Sequence, residues 1–244
     1  MCERKYTEKR YYSWNEFKAN IAKDICSQDY LPYGEYIFRG QASEDWGLTS
    51  GFDRQFGNLD HSTRSKLQRN MIDNFKSNCI RWMGMTELDN YEETSVEALG
   101  QHYGLPTRLL DWSYGLYTAA FFAYAETYID ELEIPPQNVA IWILWKNHEI
   151  WQGDMGVKIR TDYIPENQRQ RNQFGLFTVN NSPETSIEEY VNTCAKRTNV
   201  DGALYKVCLP RNERKNVIFD LKMMGINYNE IDRVVTVEED STIS

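Results

Sequence analysis

Histidine and cysteine are scarce in this chain of 244 residues, with His 3 and Cys 5. Cys2, Cys26, Cys79, Cys194 and Cys208 are scattered and form no Cys-x-x-Cys pair. No metal site is therefore expected, and reduced thiols in a cytoplasm are the simplest reading. No run of eighteen apolar residues occurs, so no membrane span is expected. Met1-Cys2-Glu3-Arg4-Lys5 has no apolar segment behind its charges, so no secretory leader is expected either. Gly-x-Gly-x-x-Gly, the P-loop, Gly-x-Ser-x-Gly and His-Glu-x-x-His are all missing, which leaves Rossmann, Walker-type, serine-elbow and zinc-protease chemistry without support. Positive charge is in deficit, 27 Lys+Arg against 36 Asp+Glu, for a net charge of -9. Nucleic-acid binding driven by general phosphate neutralisation is not expected of such a chain. Its best basic cluster is Lys158, Arg160, Arg169 and Arg171, which reads first as a solvated face and only second as a nucleic-acid contact.

Aromatic residues are plentiful at 14%, enough to build a large core. Residues 13–26 place Trp14, Phe17, Ile21 and Ile25 at helical spacing, and Ser13 with Glu16 forms a capping box. Residues 63–84 place Leu67, Met71, Phe75, Cys79 and Met83 at four-residue steps, the clearest amphipathic helix in the chain. A shorter helix is expected from Thr94 to Tyr103, capped by Thr94 or Ser95 and stopped by Gly104. Another follows over residues 114–128, where Ala119, Ala120, Ala123 and Ala125 imply a closely packed neighbour. A last helix is expected over residues 212–224, closed by Gly225. Tyr36 to Gly40, Val139 to Trp145, Gly175 to Val179 and Ala203 to Leu209 read as strands, the second being apolar throughout and hence central. Helices dominate the first half and no regular βαβ alternation appears. The expected fold is therefore α+β, a central mixed or antiparallel sheet with helices packed around it, in a single domain over residues 1–244 with helix 13–26 packed on the core.

The densest chemistry lies in Gln101-His102-Tyr103-Gly104-Leu105-Pro106-Thr107-Arg108-Leu109-Leu110-Asp111-Trp112-Ser113. Polar groups of every kind stand there beside Leu-Leu and Trp, the mixture of a binding site on an apolar support. Upstream, Arg39 ends a strand against Gly40, where a guanidinium reaches a phosphate or carboxylate and glycine lets a ligand approach the backbone. Pairing of Arg39 with a structural carboxylate is equally open. His102 reads as a cap or core residue before it reads as a base. Thr107, Arg108 and Asp111 are close enough to pair among themselves, so an internal Arg108–Asp111 salt bridge stands beside a ligand contact. Gln173 enters a strand, and either bonds a ligand hydroxyl or satisfies a strand edge.

Three stretches resemble the FRG domain family, named for its Phe-Arg-Gly motif: Ile37 to Gln41 with Trp46 and Leu48, Gln101 to Trp112 followed by Ala119 to Ala123, and Arg169 to Thr178. The resemblance runs over about residues 30–225 and departs after Gly225-Ile226, where Asn227-Tyr228-Asn229-Glu230-Ile231 replaces a Leu-Phe-Pro-Asp-type ending. A weaker resemblance is to ADP-ribosyltransferases, whose NAD site opens with an aromatic-Arg-Gly strand, continues through a hydroxyl-bearing strand and a small-residue helix, and ends on a catalytic Glu. Gln173 stands at the position of that Glu, a departure, because Gln holds a hydroxyl without supplying charge. What this second resemblance implies is an ADP-ribosyltransferase-like fold and an NAD-consuming transferase, with NAD as co-substrate and no metal. Arg39 and Gln41 with Thr107 and Arg108 would hold the dinucleotide. Asp111, His102 and Gln173 would be catalytic, with Asp111 the base or charge stabiliser and Glu97 a second candidate carboxylate. The acceptor would be a nucleic acid or a protein, the setting a cytoplasmic toxin or defence effector. A nucleotide-binding sensor without catalysis and an NAD glycohydrolase are the alternatives.

Overall fold

The structure is a computed structural model that describes residues 5–125, 135–153, 155–161 and 175–227. Its centre is a seven-stranded mixed sheet in the order β1-β7-β4-β2-β3-β6-β5. The strands are β1 (Thr7–Arg10), β2 (Tyr36–Gln41), β3 (Leu109–Ser113), β4 (Asn138–Trp145), β5 (Val157–Arg160), β6 (Gly175–Asn180) and β7 (Leu204–Pro210). β1 pairs parallel with β7, and every other pairing is antiparallel. The helices are α1 (Trp14–Cys26), α2 (Gly51–Phe56), α3 (His61–Met83), α4 (Glu93–His102), α5 (Leu116–Ala125), α6 (Ile187–Cys194) and α7 (Arg214–Met223). The α+β expectation holds.

β4 earns its central position through its side chains. Six consecutive residues, Val139 to Leu144, are fully buried because both faces of the strand are covered. On one face, Tyr36 and Phe38 of β2 and Ile141 and Ile143 of β4 meet α1, α5 and α7 in a single apolar cluster. On the other, Ile37, Leu110, Trp112, Trp142 and Leu176 meet Ile187 and Val191 of α6 and the short 3-10 turn Glu149–Trp151. The loop from Ala42 to Ser50 lies along this second face. Gln41 Nε2 donates to Gly47 O at 3.0 Å, Leu48 N donates to the Glu188 carboxylate at 2.9 Å, and Lys206 Nζ donates to Glu44 O. α4 covers the far end of the first face, where Ala98 packs with Leu109, Phe177 and Val179.

Local signals explain most element ends. Ser13 Oγ accepts from Glu16 N at 3.2 Å, and Glu16 Oε2 accepts from Tyr12 N at 2.8 Å, a capping box shifted by one residue. Gly104 and Gly225 take φ of 84° and 81°, which stops α4 and α7 where glycine was expected to stop them. α4 begins at Glu93 behind Glu92, with no side-chain cap, so the caps expected at Thr94 or Ser95 lie inside the helix. α3 begins at His61 because Asp60 caps it, accepting from Thr63 N at 3.1 Å. Its apolar stripe is only partly used. Ile72 and Cys79 are buried but Met83 is 54% exposed; among the described residues α4 and the 3-10 turn Thr86–Asn90 make the main contacts along it. Strands β1 and β3 also stand in the first half of the chain. Thr7-Glu8-Lys9-Arg10 carries no apolar alternation because it is a polar sheet edge.

Among the described glycines, Gly40 marks the closest approach of a neighbour. A Cβ there would lie 1.9 Å from Ala119 O and 2.7 Å from Ala123 N. The space over Gly40 is thus filled by the backbone of α5, and the expectation that this glycine admits a ligand is corrected. The alanines at 119, 120 and 123 are the other half of the same contact, each at most 1% exposed. Gly40→Ala is expected to destabilise the fold by about 3 kcal/mol, since the clash is with main chain that cannot swing aside. Urea denaturation measures it, and an unchanged midpoint would contradict this packing.

Candidate functional site

The site grows from a gap between two strands. β2 pairs with β4 along its whole length, from Tyr36↔Trp145 to Gln41↔Ala140. With β3 it shares one paired position, Phe38↔Ser113. Beyond it the two strands part, and the Arg39 side chain bridges them. Arg39 Nη1 donates to the main-chain oxygen of Asp111 at 2.7 Å and stands 3.8 Å from Asp111 Oδ2. The Arg39 side chain is 22% exposed and that of Asp111 60%, so the pair opens to solvent. The ion pair of the motif is therefore Arg39–Asp111, and the Arg108–Asp111 bridge expected as one possibility is not formed.

A relay of polar groups sets the Asp111 carboxylate. Gln101, in the last turn of α4, donates from Nε2 to Asp111 Oδ1 and Oδ2 at 3.1 and 3.0 Å. Its Oε1 accepts from Thr107 Oγ1 at 2.5 Å, and Thr107 Oγ1 accepts from Leu109 N at 3.4 Å. Both ends of the Gln101 amide are thereby assigned, and the carboxylate is fixed by a residue whose own orientation is fixed. Gln101 was not singled out as a site residue from sequence. The available signal was its place as first residue of the motif, one turn before the glycine stop. Thr107 is buried and serves this relay, while His102 is exposed, lies edge-on to Tyr103 at 5.8 Å, and bonds to neither Asp111 nor Arg39.

The remaining expected residues fall elsewhere. Gln41 is buried, with Nε2 on Gly47 O and Oε1 accepting from Trp142 Nε1 at 2.8 Å, so its amide latches a loop to the sheet. Arg108 points away from Asp111 and lies over the Phe52 ring, 5.2 Å from its centroid, at 4% exposure. Glu97 is a buried staple, its Oε1 accepting from Arg108 N and from Gln68 Nε2 at 2.9 Å each. Burial pushes the Glu97 carboxyl above the ordinary glutamate range, against the pull of those two bonds. Gln173, Arg169 and Arg171 lie outside the described residues, so of the expected basic cluster only Lys158 and Arg160, on β5, are described.

What the described geometry offers chemically is an exposed, oriented carboxylate beside a guanidinium, at a strand gap. Comparison with known proteins adds one match. The model of the FRG domain covers residues 34–131, which takes in β2, the Gln101–Ser113 stretch and α5 but ends before the third stretch at residues 169–178. No curated protein and no solved structure matches the chain. Among the described residues, no helix is long and apolar enough to cross a membrane.

The buried Glu97 makes a pH prediction. Its raised folded-state pKa means that the folded protein binds this proton more tightly than the unfolded chain does. That stability is fully present below the unfolded value, about 4.3, and is lost as pH rises through the folded value. A glutamine side chain at this position retains an oxygen for both bonds now made to Oε1, without a charge to bury. The stability of Glu97→Gln relative to the parent is therefore expected to improve as pH rises from about 4.3 through the folded value of Glu97, and to level off above it. Urea titrations across that range test it, and a flat difference would remove the assignment.

Proposed function

With residues 34–131 an FRG domain, we propose that the gap between β2 and β3 is the site of an NAD-consuming ADP-ribosyltransferase-like reaction. The observation that carries this reading is the Asp111 carboxylate, 60% exposed and oriented by Gln101 at 3.0 and 3.1 Å beside Arg39. Cleavage of the nicotinamide–ribose bond lets nicotinamide leave as a neutral molecule with the bonding electrons. Positive charge develops on the ribose as in glycoside hydrolysis. Asp111 faces that charge and then takes the proton of the attacking acceptor hydroxyl or amine. Arg39 holds an NAD phosphate or ribose oxygen, the task for which a guanidinium is best shaped. Gln101, rather than His102, keeps the carboxylate in place. Gln173 is assigned to a ribose hydroxyl on the resemblance alone. A nucleic acid or protein is the acceptor, and a toxin or defence effector in the cytoplasm is the setting this chemistry suits.

A second reading has its own observation. Asp111 is already neutralised in part by Arg39 and hydrogen-bonded by Gln101, which lowers its power to stabilise a cation. In that case the site binds a nucleotide as a sensor and breaks no bond, or water replaces the acceptor in an NAD glycohydrolase.

Nicotinamide release from NAD, with DNA, RNA or mixed protein offered separately, decides among these. Release is expected to fall by about 100-fold or more in Asp111→Asn with NAD binding retained. Arg39→Ala is expected to lose binding as well, and to lower stability by about 2 kcal/mol because its charge-assisted bond to Asp111 O goes with it. No release from the parent protein, but a rise in melting temperature with NAD, turns the reading to the sensor. Neither release nor a rise removes NAD.

A further inference from the structure

Behind the motif strand lies a buried group of charges that the proposed reaction does not use. Asp53, in α2, receives Ser50 Oγ at 2.8 Å and pairs with Arg64 Nη1 of α3 at 2.7 Å, both side chains at most 3% exposed. Arg64 Nη2 donates to Pro183 O. Arg108 completes the group, electrostatically coupled to Asp53, Arg64 and Glu97. Only 4% of its surface is exposed. It forms no ion pair or side-chain hydrogen bond among the described residues, and its Nε and Nη2 are buried with no partner. Arg64 Nε is also buried without a partner among the described residues.

Three unpartnered nitrogens on two neighbouring buried cations require an explanation, because buried donors are almost always satisfied. The Arg108 charge has no direct counter-ion among the described residues: Asp53 is committed to Arg64 at 2.7 Å, and Glu97 Oε1 is taken by Arg108 N and Gln68 Nε2. Stacking on Phe52 orients the Arg108 plane without giving its N–H groups an acceptor. Water supplies lone pairs but no negative charge. An oxyanion supplies both, and a guanidinium fork matches its geometry.

We propose that Arg108 and Arg64, floored by Phe52, form a buried oxyanion subsite that takes a phosphate group. The phosphate is either free or the terminal group of a nucleotide. The subsite neither needs nor excludes bond cleavage at Asp111, so nicotinamide release and phosphate binding can each fail while the other stands.

Inorganic phosphate is the first probe and ADP-ribose the second, each read by thermal unfolding against sodium chloride of equal ionic strength. The parent is expected to gain about 3 °C or more at saturating phosphate. Arg108→Met, which removes the buried guanidinium and its unpartnered nitrogens but keeps a long side chain on Phe52, is expected to melt no lower than the parent in phosphate-free buffer and to lose that gain. Should the Met variant fail to fold, Arg108→Lys serves instead: it keeps the charge, loses the fork, and is expected to lose most of the gain. A response of the parent to ADP-ribose but not to phosphate, lost in the Arg108 variant, supports the subsite and names a nucleotide as its source. No response to either probe overturns the proposal, and so does an equal response in the parent and the Arg108 variants.

Discussion

The backbone of α5 rests directly on β2 at Gly40, and much of the architecture depends on that contact. A Cβ at this position would fall 1.9 Å from Ala119 O, so no other residue fits. With α5 seated there, the apolar cluster of Tyr36, Phe38, Ala119, Ala120 and Ala123 closes one face of the sheet. Strand alternation then turns Arg39 to the opposite side, toward the gap where β2 leaves β3. The Phe-Arg-Gly tripeptide thus does two jobs with adjacent residues. Phe38 and Gly40 receive a helix, and Arg39 spans to the neighbouring strand.

The polar residues of the Gln101–Ser113 stretch divide between two neighbourhoods. Asp111, Gln101 and Thr107 form a relay that ends in an exposed carboxylate. Arg108, between Thr107 and Leu109, enters the buried charge group with Asp53, Arg64 and Glu97. Glu97 joins the two, since it accepts from Arg108 N on the helix that carries Gln101 four residues later. The site and the buried cations therefore share one support, and burial makes each of those charges expensive unless it is bonded.

Much of the fold was legible in residue spacing. Trp14, Phe17, Ile21 and Ile25 are all buried on α1, and Val139 to Leu144 are buried on β4, as an uninterrupted apolar strand demands. β1 escaped notice because a polar edge strand has no pattern to read, and the α3 stripe overstated its burial because spacing reports which face is apolar and not whether anything covers it. At the site, Arg39 and Asp111 were both legible as chemistry-bearing residues. Their pairing with each other was not, since they are 72 positions apart and meet only through the sheet. Gln41 and Glu97 have the look of site residues, yet each is consumed by the protein's own backbone or by a buried partner.

By itself, then, the chain determined five of its seven described helices, its central strand, the glycine stops at Gly104 and Gly225, and the match of residues 34–131 to the FRG domain model. These are local properties, set by periodicity, backbone freedom and motif. Tertiary structure alone decided that Gly40 receives a helix rather than a ligand, that Asp111 faces Arg39 and Gln101, and that Arg108 is buried over Phe52. Each of those depends on which strand lies beside which and on which side chains water can reach, and neither is encoded within any single stretch of residues.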